Sequence, residues 1–360
     1  MTGNRRFLLV RRPQGTPVPE DFSLVEECIP EPEQGGLIVR NHYASLDPAQ
    51  RGWMDDAPSY MPPIPLGAPV RASTVGVVHA SANPDFQPGD WVLGLNALED
   101  YSVVQPGGFT SKIDVSIVDS PSKYLSAMGA VGLTAYFGLI EAGQPKAGET
   151  LLVSGAAGAV GSAVGQIGKI LGCRVIGIAG GPDKCRRLLE DYGFDVAIDY
   201  RGKDVASLAA EIRSHAPNGA DVIFENVGGD VMDAELMNLA MGARIVLCGL
   251  ISEYNAEQKI GIRNLWQVLV QRAVIKGFLI ADYVPRFGEG GAQMAAWMAE
   301  GRLRIDEIRR VGTAGIGKIR HADADQAKLR AVGFLFEQAE PGAENAVGEL
   351  RRVLQPAVAS

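Results

Sequence analysis

Cysteine and histidine are scarce, with four of each in 360 residues. Cys28, Cys173, Cys185 and Cys248 form no C-x-x-C pair, and His42, His79, His215 and His321 are equally dispersed. Neither set has zinc-ligand spacing, so no metal is expected. Cys173 and Cys248 lie in or beside apolar segments, where a free thiol behaves as a small hydrophobe. No apolar run approaches the roughly 20 residues that a bilayer span needs. The opening MTGNRRFLLVRRP has too short an apolar core for a signal peptide and reads as a first strand. Positive charge is not in excess: 34 Lys and Arg against 42 Asp and Glu leave a net −8. That balance argues against a nucleic-acid or anionic-membrane partner. A soluble, cytoplasmic protein with length for two domains is expected.

What is present concentrates in Leu151–Ser162, LLVSGAAGAVGS. An apolar strand enters a glycine turn, and the turn opens a helix of small residues. Such a turn lets backbone N–H groups approach a pyrophosphate, and the helix N-terminus favours its charge. The glycines are Gly155, Gly158 and Gly161, with Ala156 where the commoner G-x-G-x-x-G pattern has glycine. The next strand, CRVIGIA, ends at Ala179, Gly180 and Gly181. An NAD site usually places Asp or Glu there, to hold the ribose 2′-hydroxyl. Here no carboxylate follows directly, and Lys184 and Arg186 lie close by. Positive charge without a carboxylate suits a 2′-phosphate, so the expected cofactor is NADP(H).

The first third reads as β-rich, with short Val-, Ile- or aromatic-rich segments at Phe7–Val10, Gly36–Tyr43, Ser73–His79 and Trp91–Leu95. The central third alternates strand and helix. Strands are expected at Thr150–Ser154, Arg174–Ala179, Val196–Asp199, Asp221–Asn226, Arg244–Gly249 and Val274–Leu279. Helical patterns cover Asp183–Tyr192, Asp204–His215 and Gly229–Leu239. Alternation of this kind implies an α/β fold with a doubly wound parallel sheet, and six strands fit a dinucleotide-binding domain of two halves.

Several motifs then carry a family resemblance. VSGAAGAVGSAVGQIGKILGCRVIGIAG closely resembles the cofactor segment of zinc-independent medium-chain dehydrogenases/reductases. Within them it is most similar to the leukotriene 12-hydroxydehydrogenase/prostaglandin reductase branch of alkenal and enone double-bond reductases. LDPAQRGWM (Leu46 to Met54), GLTAYFGL (Gly132 to Leu139), FENVGGDVMDA, RIVLCGLISEYN, RNLWQVLVQR and IKGFLIADY follow in the branch's order. The likeness runs continuously from Asp47 to Gly301 and fades over 305–341.

This resemblance implies a Rossmann cofactor domain at 124–302 and a β-rich GroES-like catalytic domain from 1–123 and 303–360. It implies cofactor contacts at Thr134, at Ala157, Gly158, Ala159 and Val160, and at Lys184, Tyr200 and Asn226. Further contacts fall on Cys248, Gly249, Leu250, Ile251 and Ser252, on Phe278, Leu279 and Ile280, and on Asn345. Cys248 would be a packing residue and not a nucleophile. Tyr254 is the implied catalytic residue, its hydroxyl assisting at the carbonyl oxygen while hydride reaches the β-carbon of an α,β-unsaturated ketone or aldehyde. Tyr43, Arg51 and Trp53 are weaker candidates for the substrate wall, because Ala49 and Gln50 stand where the branch commonly has Tyr and Met. A homodimer is also implied. The alternatives are an NADPH-dependent quinone reductase of the same superfamily and a non-catalytic NADPH-binding sensor or structural protein.

Overall fold

In the computed structural model the β-rich first third forms antiparallel sheet, and the alternating centre forms a parallel one. Residues 3–256, 258 and 261–307 are described, with the backbone of 309–311 and 334–337. The chain divides into two units, Met1–Leu125 with Glu307–Ser360, and Ser126–Asp306.

In the first unit β1 (Asn4–Leu9) and β2 (Phe22–Glu27) make an antiparallel pair. The larger sheet holds β3 (Leu37–Leu46), β4 (Arg71–Ser81), β5 (Trp91–Ala97), β6 (Tyr101–Val104) and β7 (Ser111–Lys112). Its strands pair antiparallel, β3 with both β4 and β6. A short helix, α1 (Ala49–Trp53), follows β3. Gln50 pins it: the buried side-chain amide donates to the Ser45 and Arg71 carbonyls, while its Oε1 accepts the Asp47 N–H at 3.1 Å. Trp53 and Met54 then pack with Leu9, Ile64, Val70 and Leu98 in this unit's core.

The second unit is a six-stranded parallel sheet. Its strands are β8 (Thr150–Val153), β9 (Arg174–Ala179), β10 (Val196–Asp199), β11 (Ala220–Glu225), β12 (Leu239–Leu247) and β13 (Val274–Gly277). Their order is β10-β9-β8-β11-β12-β13, so the chain reverses direction across the sheet between β8 and β11. The helices are α2 (Ala130–Phe137), α3 (Ala159–Ile170), α4 (Pro182–Glu190), α5 (Val205–His215), α6 (Gly229–Leu236), α7 (Trp266–Val270) and α8 (Phe287–Ala299). One apolar cluster joins residues of α2, α3 and α8 to the sheet, and a second joins those of α5 and α6. Covered strands carry continuous apolar runs, and β11 obeys this: Val222, Ile223 and Phe224 are all buried. Back in the first unit, β15 (Phe334–Glu337) pairs antiparallel with β3 and parallel with β14 (Arg309–Val311).

The expected doubly wound fold is therefore present. β12 begins earlier than its apolar run suggested, because Leu239 pairs with Ala220 before a bulge. Among the described residues no helix is long and apolar enough to cross a membrane.

Small residues bring α3 against the sheet. A Cβ on Gly165 would lie 1.9 Å from the Phe194 ring, and one on Gly168 would lie 2.4 Å from Leu151 Cδ2. Gly165→Ala is therefore expected to destabilise the protein by about 1–3 kcal/mol through overpacking. Urea unfolding checks this, and adding Phe194→Leu should recover part of the loss.

Candidate active site

The loops at the carboxyl ends of β8, β9, β11 and β12 gather most of the candidate residues. The turn after β8 comes first. Gly155 adopts φ +57°, and the Gly158 N–H donates back to the Gly155 carbonyl at 2.9 Å. A Cβ on Gly161 would sit 2.5 Å from that same carbonyl oxygen, so glycine lets α3 start directly on the turn. Gly158, at the N-cap, offers no side chain to cap the helix. Among the described residues no acceptor meets the N–H groups of Ala159, Val160 and Gly161. These donors at the positive end of a twelve-residue helix form a cradle suited to a phosphate.

At the end of β9, Ala179 and Gly180 are buried and carry no charge. The Tyr200 ring stands over Gly180, where a Cβ would come within 3.1 Å of it. Arg201 does the same at Gly181, its Nη1 2.8 Å from that glycine's Cβ position. Asp199 is turned away onto backbone, accepting the N–H groups of Gly181 at 2.8 Å and Arg201 at 3.0 Å. Lys184 lies half-buried on the first turn of α4, whereas Arg186 is exposed and pairs with Asp183 and Glu190. Arg201 was not singled out from the sequence. Its only signal was adjacency to Tyr200.

Glu225, wholly buried at the end of β11, organises the remaining loops. Its carboxylate accepts the Ser154 hydroxyl at 2.7 Å, the Val227 N–H at 2.6 Å and the Gly228 N–H. Its backbone carbonyl accepts the N–H groups of Cys248 and Gly249. Asn226 donates its own N–H to Ser154 Oγ and its Nδ2 to the Ser154 carbonyl. The Ile251 and Ser252 N–H groups close onto the Asn226 and Val227 carbonyls, and Ser252 Oγ also donates to the latter at 2.6 Å. Asn226, Gly249, Leu250, Ile251 and Ser252 are thus one bonded structure. The Tyr254 hydroxyl accepts the Leu250 N–H at a long 3.4 Å and lies 3.1 Å from the Cβ position of Gly249. Glu225 stood within a recognised motif, yet nothing in its spacing marked it as the hub.

Phe278 reaches the same unit's core, edge-on to Phe224 with ring centroids 6.4 Å apart. Leu279 is exposed and Ile280 opens a short 3-10 turn. Thr134 is half-buried on α2, between the buried Leu133 and Ala135. Asn345 lies outside the described residues.

Tyr43, Arg51 and Trp53 belong to the other unit. Tyr43 is buried on β3, and the Trp53 indole N–H donates to the Tyr60 hydroxyl at 3.1 Å, with Arg71 stacked over the ring. Arg51 is held by Asp55 at 2.5 Å and donates to the Gly15 and Pro13 carbonyls. Burial pushes the nearby Asp47 carboxyl up to about 6, although the Ser45 hydroxyl donates to it. Among the described residues no three His, Cys, Asp or Glu side chains gather where they could hold a metal ion.

Strand order, glycine turn and helix cradle together define a dinucleotide-binding oxidoreductase fold of two units. Two family profiles agree, an N-terminal domain of oxidoreductase over residues 5–112 and a zinc-binding dehydrogenase over 159–297. The NADPH-dependent curcumin reductase of Escherichia coli (strain K12) is 44% identical over 310 residues, covering 84% of this chain and 88% of that protein. The NADP(+)-dependent 2-alkenal reductase of Nicotiana tabacum is 39% identical over 285 residues, covering 78% and 82%. The crystal structure of CurA from Vibrio vulnificus in complex with NADPH superposes with a TM-score of 0.78 at 42% identity, covering 86% of this chain and 92% of that one. The chain belongs to the medium-chain dehydrogenase/reductase family, in its zinc-independent alkenal reductase branch.

Burial, with the Glu225 charge adding to it, pushes the Cys248 thiol up to about 12. At pH 8 such a thiol is thiolate in only about one molecule in 10⁴. Iodoacetamide should therefore modify the exposed Cys28 and spare Cys248 in the native protein, as read by peptide mass spectrometry.

Proposed function

We propose that this chain reduces the C=C bond of α,β-unsaturated ketones and aldehydes with NADPH. The observation that carries the cofactor choice is the end of β9, where the strand brings no carboxylate of its own, Tyr200 and Arg201 stand over Gly180 and Gly181, and Lys184 follows on the first turn of α4. A 2′-phosphate is favoured by those cations, and the first-turn N–H groups of α3 suit a pyrophosphate. The relatives that carry the substrate class are the curcumin and 2-alkenal reductases.

NADPH, when bound, supplies the hydride. The protein's share is to hold and orient the partners. Ala157, Gly158, Ala159 and Val160 hold the pyrophosphate, and Lys184 and Tyr200 with Arg201 hold the 2′-phosphate. Thr134, Asn226, Cys248 to Ser252 and Phe278 to Ile280 line the rest of the cofactor, Cys248 as a neutral packing residue. Tyr254 donates its hydroxyl proton as a hydrogen bond to the substrate carbonyl oxygen, where negative charge grows as the β-carbon is reduced. A preorganised donor at that point stabilises the enolate-like transition state more than the ground state. Tyr43 and Trp53, candidates for substrate contact, are buried within the β-rich unit. Arg51, the third candidate there, is tied to Asp55 and two carbonyls of its own unit.

A second copy of this chain is the partner we assign. Trp266, Leu269 and Val274, on α7 and the sheet-edge strand β13, are 68%, 65% and 58% exposed, and covering them favours association.

Three results are expected. NADPH but not NADH should be consumed with an enone panel, giving saturated carbonyl products; consumption with quinone alone, or tight binding without turnover, would overturn the substrate assignment. Tyr254→Phe should lower turnover about 10²–10³-fold with NADPH affinity nearly unchanged, as stopped-flow kinetics and fluorescence titration would read. Lys184→Ala combined with Arg201→Ala should weaken NADPH at least about tenfold while leaving NADH binding alone, since a charge-assisted hydrogen bond contributes about 1.5–3 kcal/mol.

A further inference from the structure

Two carboxyl groups of the second unit are wholly buried. Glu225 ends β11, and Glu235 lies on the last turn of α6; neither exposes any surface. Glu225 is well supplied with donors, from Ser154, Val227 and Gly228. Glu235 is the opposite case. No N–H or O–H among the described residues reaches either of its oxygens. Its hydrogen-bonding neighbour is the Glu225 carboxyl, and a carboxyl–carboxyl hydrogen bond requires a proton.

Among the described residues no cation neutralises a second charge there. Asp233, on the same helix, is turned to Arg263 and to the Arg263 and Asn264 N–H groups. From α5 the buried residues are Leu208, Ala209 and Ile212, and from the end of β12 the facing group is the Cys248 thiol. The buried Asn238 spends its Nδ2 on the Ala209 and Ala234 carbonyls. Two adjacent buried carboxylates without a counter-ion cannot both ionise. The proton sits on Glu235, because both Glu225 oxygens already accept donors.

We propose that Glu235 keeps its proton in the folded protein, and that it is a positioning residue which leaves a single charge between the two carboxyls and thereby holds the Asn226–Gly228 and Cys248–Ser252 loops in place for NADPH. Burial first, then the Glu225 charge, raise the Glu235 carboxyl well above its ordinary 4.5. A raised carboxyl means that the folded state binds more protons than the unfolded one. Stability from this group is whole below about 4.5 and is lost as pH rises towards the folded-state value. Across that window the folding constant falls by up to about tenfold per pH unit. Forcing the second charge on would loosen both loops.

The test uses the full chain and three readouts, and its cofactor arm rests on the NADPH reading above. Isotope-edited infrared spectra of the wild type at neutral pH should show the C=O stretch of a neutral carboxylic acid, persisting above the range where Asp47 titrates. Glu235→Gln keeps a neutral donor, so it should remove that band and gain Tm relative to wild type as pH is raised from acid to alkaline. NADPH affinity of the wild type should weaken at alkaline pH by up to about tenfold per pH unit more than that of Glu235→Gln. No neutral-acid band in the wild type, or Tm curves that run parallel with pH, would overturn the retained proton on Glu235. Should Glu235→Gln fail to fold, the wild-type infrared titration decides alone. Infrared and Tm readouts need no cofactor, so their failure is distinct from failure of the NADPH assignment.

Discussion

A buried carboxylate survives only where donors replace its water, and Glu225 is where this protein meets that requirement. Its side chain and carbonyl take up a hydroxyl after β8, two N–H groups after β11 and two more after β12. Each donor comes from a loop at the same end of the sheet. Desolvating the carboxylate therefore fixes the relative positions of three loops in one step. Loss of a donor would leave the buried charge under-solvated in a low-dielectric interior, which costs more than an ordinary neutral hydrogen bond.

The rest of the candidate site depends on that frame. With Asn226 tied to Ser154, the glycine turn at Gly155 lies within about 3.5 Å of the Asn226 side chain as judged from its Cβ position. With Ile251 and Ser252 tied to Asn226 and Val227, the following 3-10 turn directs Tyr254 back towards Gly249. Glycines at 161 and 165 allow α3 to lie so near the sheet that its first-turn N–H groups join the same surface. Electrostatics divides the surface into regions, with helix N–H donors in the middle and the cations Lys184 and Arg201 beyond β9. A doubly ionic ligand with separated phosphates matches both at once.

The first unit is ordered by side chains that finish backbone business. Gln50 satisfies three backbone groups around α1. Arg51 does similar work for the Pro13–Gly15 turn. Such residues hold Trp53 against a core that includes Ile64 and Val70. A polar residue in a loop motif thus had a packing task that its chemistry alone did not announce.

Local pattern determined much by itself. Apolar runs of four to six residues alternating with amphipathic segments specify parallel strands and crossover helices, because only covered strands can be apolar throughout. Val196–Asp199 and Arg174–Ala179 are strands within the bounds their side chains suggest. The glycine turn and the acid-free end of β9 were legible for the same reason: they depend on backbone freedom and on charge, which single residues carry. What needed the tertiary structure were relations between distant residues. Glu225 reads as an ordinary strand end until Ser154, 71 residues earlier, is seen donating to it. Glu235 reads as an exposed helix acid until α6 is found pressed on the sheet, with both carboxyl oxygens sealed from donors. Arg201 reads as a loop cation until Gly181 comes beneath it. Sequence determines which groups are available and how the chain bends locally. Burial and partnership, which decide whether a carboxyl keeps its proton, come into being only when separate segments close on one another and exclude water.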